Sequence, residues 1–105
     1  MVIEFDKTYL SELYFEGKAS DKKHRFQPQV IEKYVKVVDI LEGVSRIEDL
    51  FRFPSLNYER LVGDKNGIES VRINQQYRLE FKTGTIAGET VITICHLIDL
   101  SNHYK

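Results

Sequence analysis

The sequence predicts an α+β domain: two N-terminal helices and a short third packed on one face of an antiparallel or mixed β-sheet. Three observations predict it. Val30, Ile31, Tyr34, Val37, Val38 and Leu41 recur at the helical period. From Ser70 to Lys82, apolar and polar residues alternate with period two on either side of Asn74-Gln75-Gln76. The stretch Glu89–Leu97 is β-branched through its middle and carries apolar side chains on both faces, the pattern of a central strand.

In chain order, Val2–Phe5 reads as a short strand. Asp6 is placed to cap a helix that carries Leu10, Leu13 and Tyr14 at helical spacing and that Gly17 ends. Ser20–Arg25 is polar and reads as a turn, with His24 a solvated residue in it. Pro28 suits the first turn of the next helix, which bears the apolar stripe and closes at Gly43, with Glu32, Lys33, Lys36 and Asp39 outward. Ser45-Arg46-Ile47-Glu48 has the capping-box pattern of a short helix through Phe51, stopped by Pro54. A strand from Glu59 then approaches the turn Gly63-Asp64-Lys65-Asn66-Gly67, a second strand leaves it, and a third returns after Asn74-Gln75-Gln76. His96, in the last strand, reads as a satisfied core histidine.

Residues 1–105 make one domain with one core, and charged residues at 30% beside 11% aromatics describe a globular chain, not a disordered one. No apolar run reaches the length of a membrane span, and no signal peptide is legible. The single cysteine, Cys95, lies in an apolar run with nothing cationic beside it, so a buried structural thiol in a reducing cytoplasm is expected. Fifteen basic and 16 acidic residues leave a net charge of −1, which argues against broad non-specific nucleic-acid binding while allowing a local site. Positive charge is segregated: Lys18, Lys22, Lys23, Arg25, Lys33 and Lys36 stand against Asp21 and Glu32.

The strand register carries the functional expectation. With Asn74–Gln76 as the connection, Ile73 opposes Tyr77 and Arg72 opposes Arg78. Val71, Ile73, Tyr77, Leu79 and Phe81 then share one face, and Ser70, Arg72, Arg78, Glu80 and Lys82 the other; a slip of one residue would exchange the faces. Two guanidiniums opposed at about 5 Å repel by roughly 1 kcal/mol in water and about 3 kcal/mol in a partly screened groove. A bound phosphate reverses that sign, because each charge-assisted bond contributes about 1.5–3 kcal/mol. Lateral neutralisation by Glu80 or Glu69 on an ordinary solvated face is the alternative. Both arginines are expected to be exposed.

The Gly63–Gly67 turn lies in a strand context and is no phosphate loop, and no His/Cys set has zinc spacing, so neither a metal nor a cofactor is expected. The groups that remain suit metal-independent phosphodiester cleavage. An arginine stabilises charge on phosphorus, a base takes the 2′-hydroxyl proton and an acid protonates the leaving 5′-oxygen, a task for which histidine, with a pKa of about 6.5, is well matched.

On the turn Leu61–Gly67, the run Ser70-Val71-Arg72-Ile73-Asn74-Gln75-Gln76-Tyr77-Arg78 and the terminal His103-Tyr104, the chain resembles the HigB-type toxins of the RelE superfamily over nearly its whole length. The resemblance implies a RelE-like fold and a small cytoplasmic ribonuclease that cuts mRNA in the ribosomal A site. It also implies a helix-turn-helix, HigA-like antitoxin as partner, operator DNA reached only through that antitoxin, and no membrane contact. Arg72 and Arg78 match the family's strand arginines, assigned to phosphate binding and transition-state stabilisation. His103 matches the terminal acid–base histidine and Tyr104 the tyrosine that stacks on a base, in reversed order. The lysine that many relatives carry before the turn is Val62 here, and the histidine three residues earlier is Glu59. Lys65 is placed to supply the missing positive charge and Glu59 to act as a base if buried, while Lys82, Lys22, Lys23 and Arg25 complete the expected RNA- and ribosome-binding set. The departures leave open a second reading, a catalytically weak relative that works as antitoxin partner and transcriptional co-repressor.

Overall fold

Tyr34, Val37, Val38 and Leu41 lie on one stripe of a sixteen-residue helix, and that stripe decides which face of the sheet is covered. In a computed structural model, residues 1–88 and 91–102 are described. Strand β1 (Val2–Phe5) leads into helix α1 (Thr8–Glu16), a 3-10 turn at Lys22–His24 and helix α2 (Pro28–Gly43). Further 3-10 turns at Ile47–Arg52 and Pro54–Leu56 lead to β2 (Glu59–Arg60), and another at Gly63–Lys65 to β3 (Glu69–Arg72); β4 (Arg78–Ala87) and β5 (Val91–Ser101) follow. The sheet order is β1-β5-β4-β3-β2, with β1 parallel to β5 and every other pair antiparallel, so the sheet is mixed.

Both helices lie on one face. Leu10 and Leu13 of α1 meet Tyr34, Val37 and Leu41 of α2 over Val71, Leu79, Phe81, Cys95 and Leu97, all fully buried. The Tyr34 hydroxyl donates to the Leu10 carbonyl at 2.8 Å, which satisfies the one polar atom that this aromatic brings into the core. Gly17 ends α1 at φ +76°, the left-handed conformation that glycine adopts without a Cβ penalty. Burial pushes the Cys95 thiol up to about 12, as befits a structural cysteine.

Four local expectations change. Lys7, not Asp6, holds the N-cap position of α1, because the Asp6 backbone N–H is committed to the Leu97 carbonyl at 2.9 Å, continuing the β1–β5 ladder. The capping box at Ser45–Glu48 does not form: Ser45 donates its backbone N–H to Asp49 Oδ2 at 3.2 Å, and the segment is a 3-10 turn with Arg46 at its N-cap position. The last strand runs to Ser101, past Leu97, where a register shift lets Ile98 bulge: Glu80 pairs with Asp99 and Phe81 with Leu97. That bulge interrupts strict alternation, which is why period-two reading stops there. Finally, only one face of β5 is covered. Cys95 and Leu97 are buried, whereas Ile92 is 45% exposed and His96 stands at the open surface. Glu89, where the strand was expected to start, lies outside the described residues.

Leu79 packs at the centre of this core, so Leu79→Ala should cost about 2–5 kcal/mol in urea unfolding, and Val38→Ala, which removes less, a smaller amount. Values near zero for both would mean that the helices do not pack on this face.

Candidate functional site

Cross-strand partners divide the open face into rows. Arg72, Arg78 and Ser101 form one; Glu59, Ser70, Glu80 and Asp99 form the next; beyond the bulge come Lys82, His96 and Glu4. The first row fulfils the expected register. Asn74 Oδ1 accepts the backbone N–H groups of Gln76 and Tyr77 at 2.9 and 2.8 Å, closing an Asx-type turn, and the Ile73 N–H donates to the Tyr77 carbonyl at 3.0 Å.

The two arginines are held differently, and the expectation that both are exposed fails for Arg78. Arg78 is only 8% exposed. Its Nε donates to Ser70 Oγ at 2.9 Å and its Nη2 to the Asn57 carbonyl. Asn57 sits at φ +43°, a left-handed conformation that asparagine tolerates, at the end of the Pro54–Leu56 turn. Serine at position 70 leaves room beside the strand for the guanidinium to lie down. Arg72 is partly buried and makes no hydrogen bond or ion pair with another described residue. Arg78 is therefore an oriented cation and Arg72 an available one.

Lys65 Nζ lies 2.5 Å from Oε2 of Glu80, which is 4% exposed, so the turn lysine is committed to a carboxylate and does not stand in for the cation missing at Val62. Asp99 is paired in register with Glu80 yet turns its carboxylate to the Tyr9 hydroxyl, with Lys7 Nζ at 3.6 Å. Glu59 is exposed on the edge strand, without the burial that a basic role there needs. Lys82 is exposed beside His96. His96 is not a core histidine: its Nδ1 lies 3.1 Å from Glu4 Oε2 and 3.5 Å from Asp6 Oδ1. Glu4, Asp6 and His96 are the metal-type ligand group among the described residues, and imidazole–carboxylate pairing accounts for their arrangement.

Lys22, Lys23 and Arg25 are exposed around the Lys22–His24 turn. His24 within it is not solvated as expected. Its ring stacks on Tyr9 with centroids 3.5 Å apart and planes 2° from parallel, and its Nδ1 lies 2.9 Å from each Asp21 carboxylate oxygen. Tyr9, 3% exposed, accepts the Leu100 backbone N–H at 2.8 Å; burial first, then its hydrogen bond to Asp99, pushes the phenol far above its ordinary range. His103 and Tyr104 lie outside the described residues. Ser101, the last residue of β5, pairs with Arg78.

Ser70 and Asn57, which orient Arg78, and the pair Asp21 and His24 were missed from the sequence. The Asp21–His24 spacing was a usable cap signal; nothing local pointed to the Asn57 carbonyl. On the opposite, helix-covered side of β3, in register with Phe81, Glu69 is buried and accepts the hydroxyls of Tyr58 at 2.5 Å and Thr83 at 2.7 Å. Burial, then this bond, pushes the Tyr58 phenol up to about 12.

A profile of the HigB-like toxins, described as RelE-like toxins of the type II toxin–antitoxin system HigB, matches residues 3–94. Toxin HigB-1 of Vibrio cholerae serotype O1 is 35% identical over 83 residues, which cover 78% of this chain and 83% of the Vibrio protein. The YoeB/ParE toxin from Agrobacterium tumefaciens shares the fold, with a TM-score of 0.56 over 99% of this chain and 100% of that one at 19% identity.

Two outcomes follow from this geometry. Arg78→Ala strands Ser70 and the Asn57 carbonyl and should cost about 1–3 kcal/mol, whereas Arg72→Ala should stay within about 0.5 kcal/mol; urea melts compare them directly. Tyr58 is held protonated in the folded state above the ordinary 10.0, so its contribution is complete below about pH 10 and is lost as pH rises through about 12. Alkaline unfolding of Tyr58→Phe should accordingly be less steep over that window than that of the parent protein.

Proposed function

The chain belongs to the HigB-like, RelE-type toxins of type II toxin–antitoxin systems, and on that premise we propose that it is a metal-independent, ribosome-dependent mRNA endoribonuclease that blocks translation. The observation that carries the proposal is the opposition of Arg72 and Arg78 on the open face, beside the end of β5. An RNA phosphate between them turns a repulsion into paired charge-assisted bonds. Arg78 arrives pre-oriented by Ser70 and Asn57, so little ordering is required of it at the moment of reaction. Arg72 meets the charge that develops on phosphorus. His103 serves as acid–base group and Tyr104 as the stacking platform, roles taken from the family resemblance. Exposed Lys82, Lys22, Lys23 and Arg25 contact RNA around the cut or on the ribosome, where the ribosome supplies much of the binding that a chain of net charge −1 lacks. The partner of a type II toxin is an antitoxin; here we propose a HigA-like helix-turn-helix protein, through which the pair reaches operator DNA.

One observation favours a second reading. Lys65 is neutralised by Glu80, and Glu59 and Val62 bring no cation to the turn, so the site is poorer in positive charge than the family pattern implies. That is the condition of a catalytically weak binding protein acting as antitoxin partner and co-repressor.

Induced expression decides between them. Growth arrest with cleaved mRNA, relieved by Arg72→Ala with a loss of about 100-fold or more in cleavage rate and an unchanged melting temperature, is the nuclease outcome. Harmless overexpression of a folded, antitoxin-binding protein is the outcome of the second reading.

A further inference from the structure

We propose that the groove between the end of α1 and the start of α2 is the docking site for an acidic segment of the antitoxin that carries aliphatic anchors. This rests on the chain's family alone and holds whether or not the chain cuts RNA. Ala19, Phe26 and Ile31, partly buried against the core, floor a groove of about 570 Å³. Lys18 and Arg25, both exposed, stand on its rim, with Lys22 and Lys23 in the adjoining turn. None of these four cations makes an ion pair with another described residue.

The carboxylates of this region are committed elsewhere, and in being so they build the groove. Asp21 holds the backbone N–H and the ring of His24, each at 2.9 Å. Glu12 Oε1 accepts the backbone N–H and the hydroxyl of Ser20, each at 3.2 Å, which ties the segment after α1 back onto that helix. His24, which lines the groove, is stacked flat on Tyr9 with centroids 3.5 Å apart. A ligand therefore meets walls that need little further ordering.

Charge and surface chemistry together name the occupant. Residues 17–27 hold four cations and one carboxylate in a chain of net charge −1, so the rest of the molecule is negative and a carboxylate-rich partner is steered to this end. An RNA strand would satisfy the cations but not the floor. The two rings there are already engaged, His24 with Tyr9 and Phe26 edge to face with Tyr77 at 5.3 Å, and what the floor offers beside them is the aliphatic surface of Ala19 and Ile31. A peptide satisfies both: aliphatic anchors cover Ala19 and Ile31, and flanking carboxylates meet Lys18 and Arg25.

The test uses the full chain and, as probe, the antitoxin encoded by the adjacent reading frame, with association and dissociation rates measured by surface plasmon resonance over a range of salt. Lys18→Glu combined with Arg25→Glu should weaken binding about 30-fold, chiefly through slower association, and flatten its salt dependence. Ile31→Ala should raise the dissociation rate about tenfold and leave association unchanged. Arg52→Glu, which reverses an exposed cation on the Ile47–Arg52 turn outside the groove, should bind within about threefold of the parent. Melting curves establish that each variant is folded. A folded rim or floor variant that binds within about threefold of the parent overturns the docking site, as does a loss no greater than that of Arg52→Glu. Lost co-sedimentation of the rim variant with ribosomes at unchanged antitoxin affinity assigns the groove to RNA and overturns it too. A parent chain that the adjacent frame's product does not bind overturns the antitoxin partner along with its site.

Discussion

The open face is arranged around a repulsion that the core imposes. Val71, Ile73, Leu79 and Phe81 can be buried together only if Asn74–Gln76 forms the turn, and that register sets Arg72 against Arg78. The molecule resolves the clash by treating the two cations unequally: Arg78 lies down on Ser70 and the Asn57 carbonyl, and Arg72 stays available. The neighbouring row repeats the problem with the opposite sign, since Glu80 faces Asp99. There Lys65 takes Glu80, and Asp99 swings out to Tyr9 and Lys7. Each like-charge pair is thus separated: one arginine is tied down and the other left available, and the two carboxylates are drawn to different partners.

This division matters more to function than the scaffold does. The fold shared with the YoeB/ParE toxin fixes where β3, β4 and β5 meet, but chemistry depends on which side chains stand there. In this chain positive charge stands in the arginine row and Lys82 on the open side and, apart from them, in the turn that leads into α2, and is cancelled at Lys65. An overall charge near zero is compatible with binding RNA because so few sites have to carry it.

Features set by short-range pattern were legible in the sequence: the stripe of α2, the glycine that ends α1, the β3–β4 register and the burial of Cys95. Those set by distant partners were not. Arg78 is buried through a carbonyl 21 residues away, which only a left-handed Asn57 presents. His24 stacks on α1 because the turn packs there, and a polar run such as Ser20–Arg25 carries no sign of it. Asp6 matches a cap by composition, yet the parallel pairing of β1 with β5 claims its backbone first. His96 sits amid β-branched residues and so reads as core, although the helices cover only the opposite side of the sheet.

The irregularity at Ile98 acts as a phase shifter for the end of β5. Upstream of it, even-numbered residues from Ile92 to His96 point outward; downstream, odd-numbered Asp99 and Ser101 fall into the outward rows, and Leu100 is packed against Leu79. Strict alternation carried through Ile98 without the bulge would bring Leu100 out into water and turn Ser101 under the helices. The bulge thus joins the arginine row to the end of β5 without touching either guanidinium, so the pairing phase at this point is as much a part of the site as any charged group.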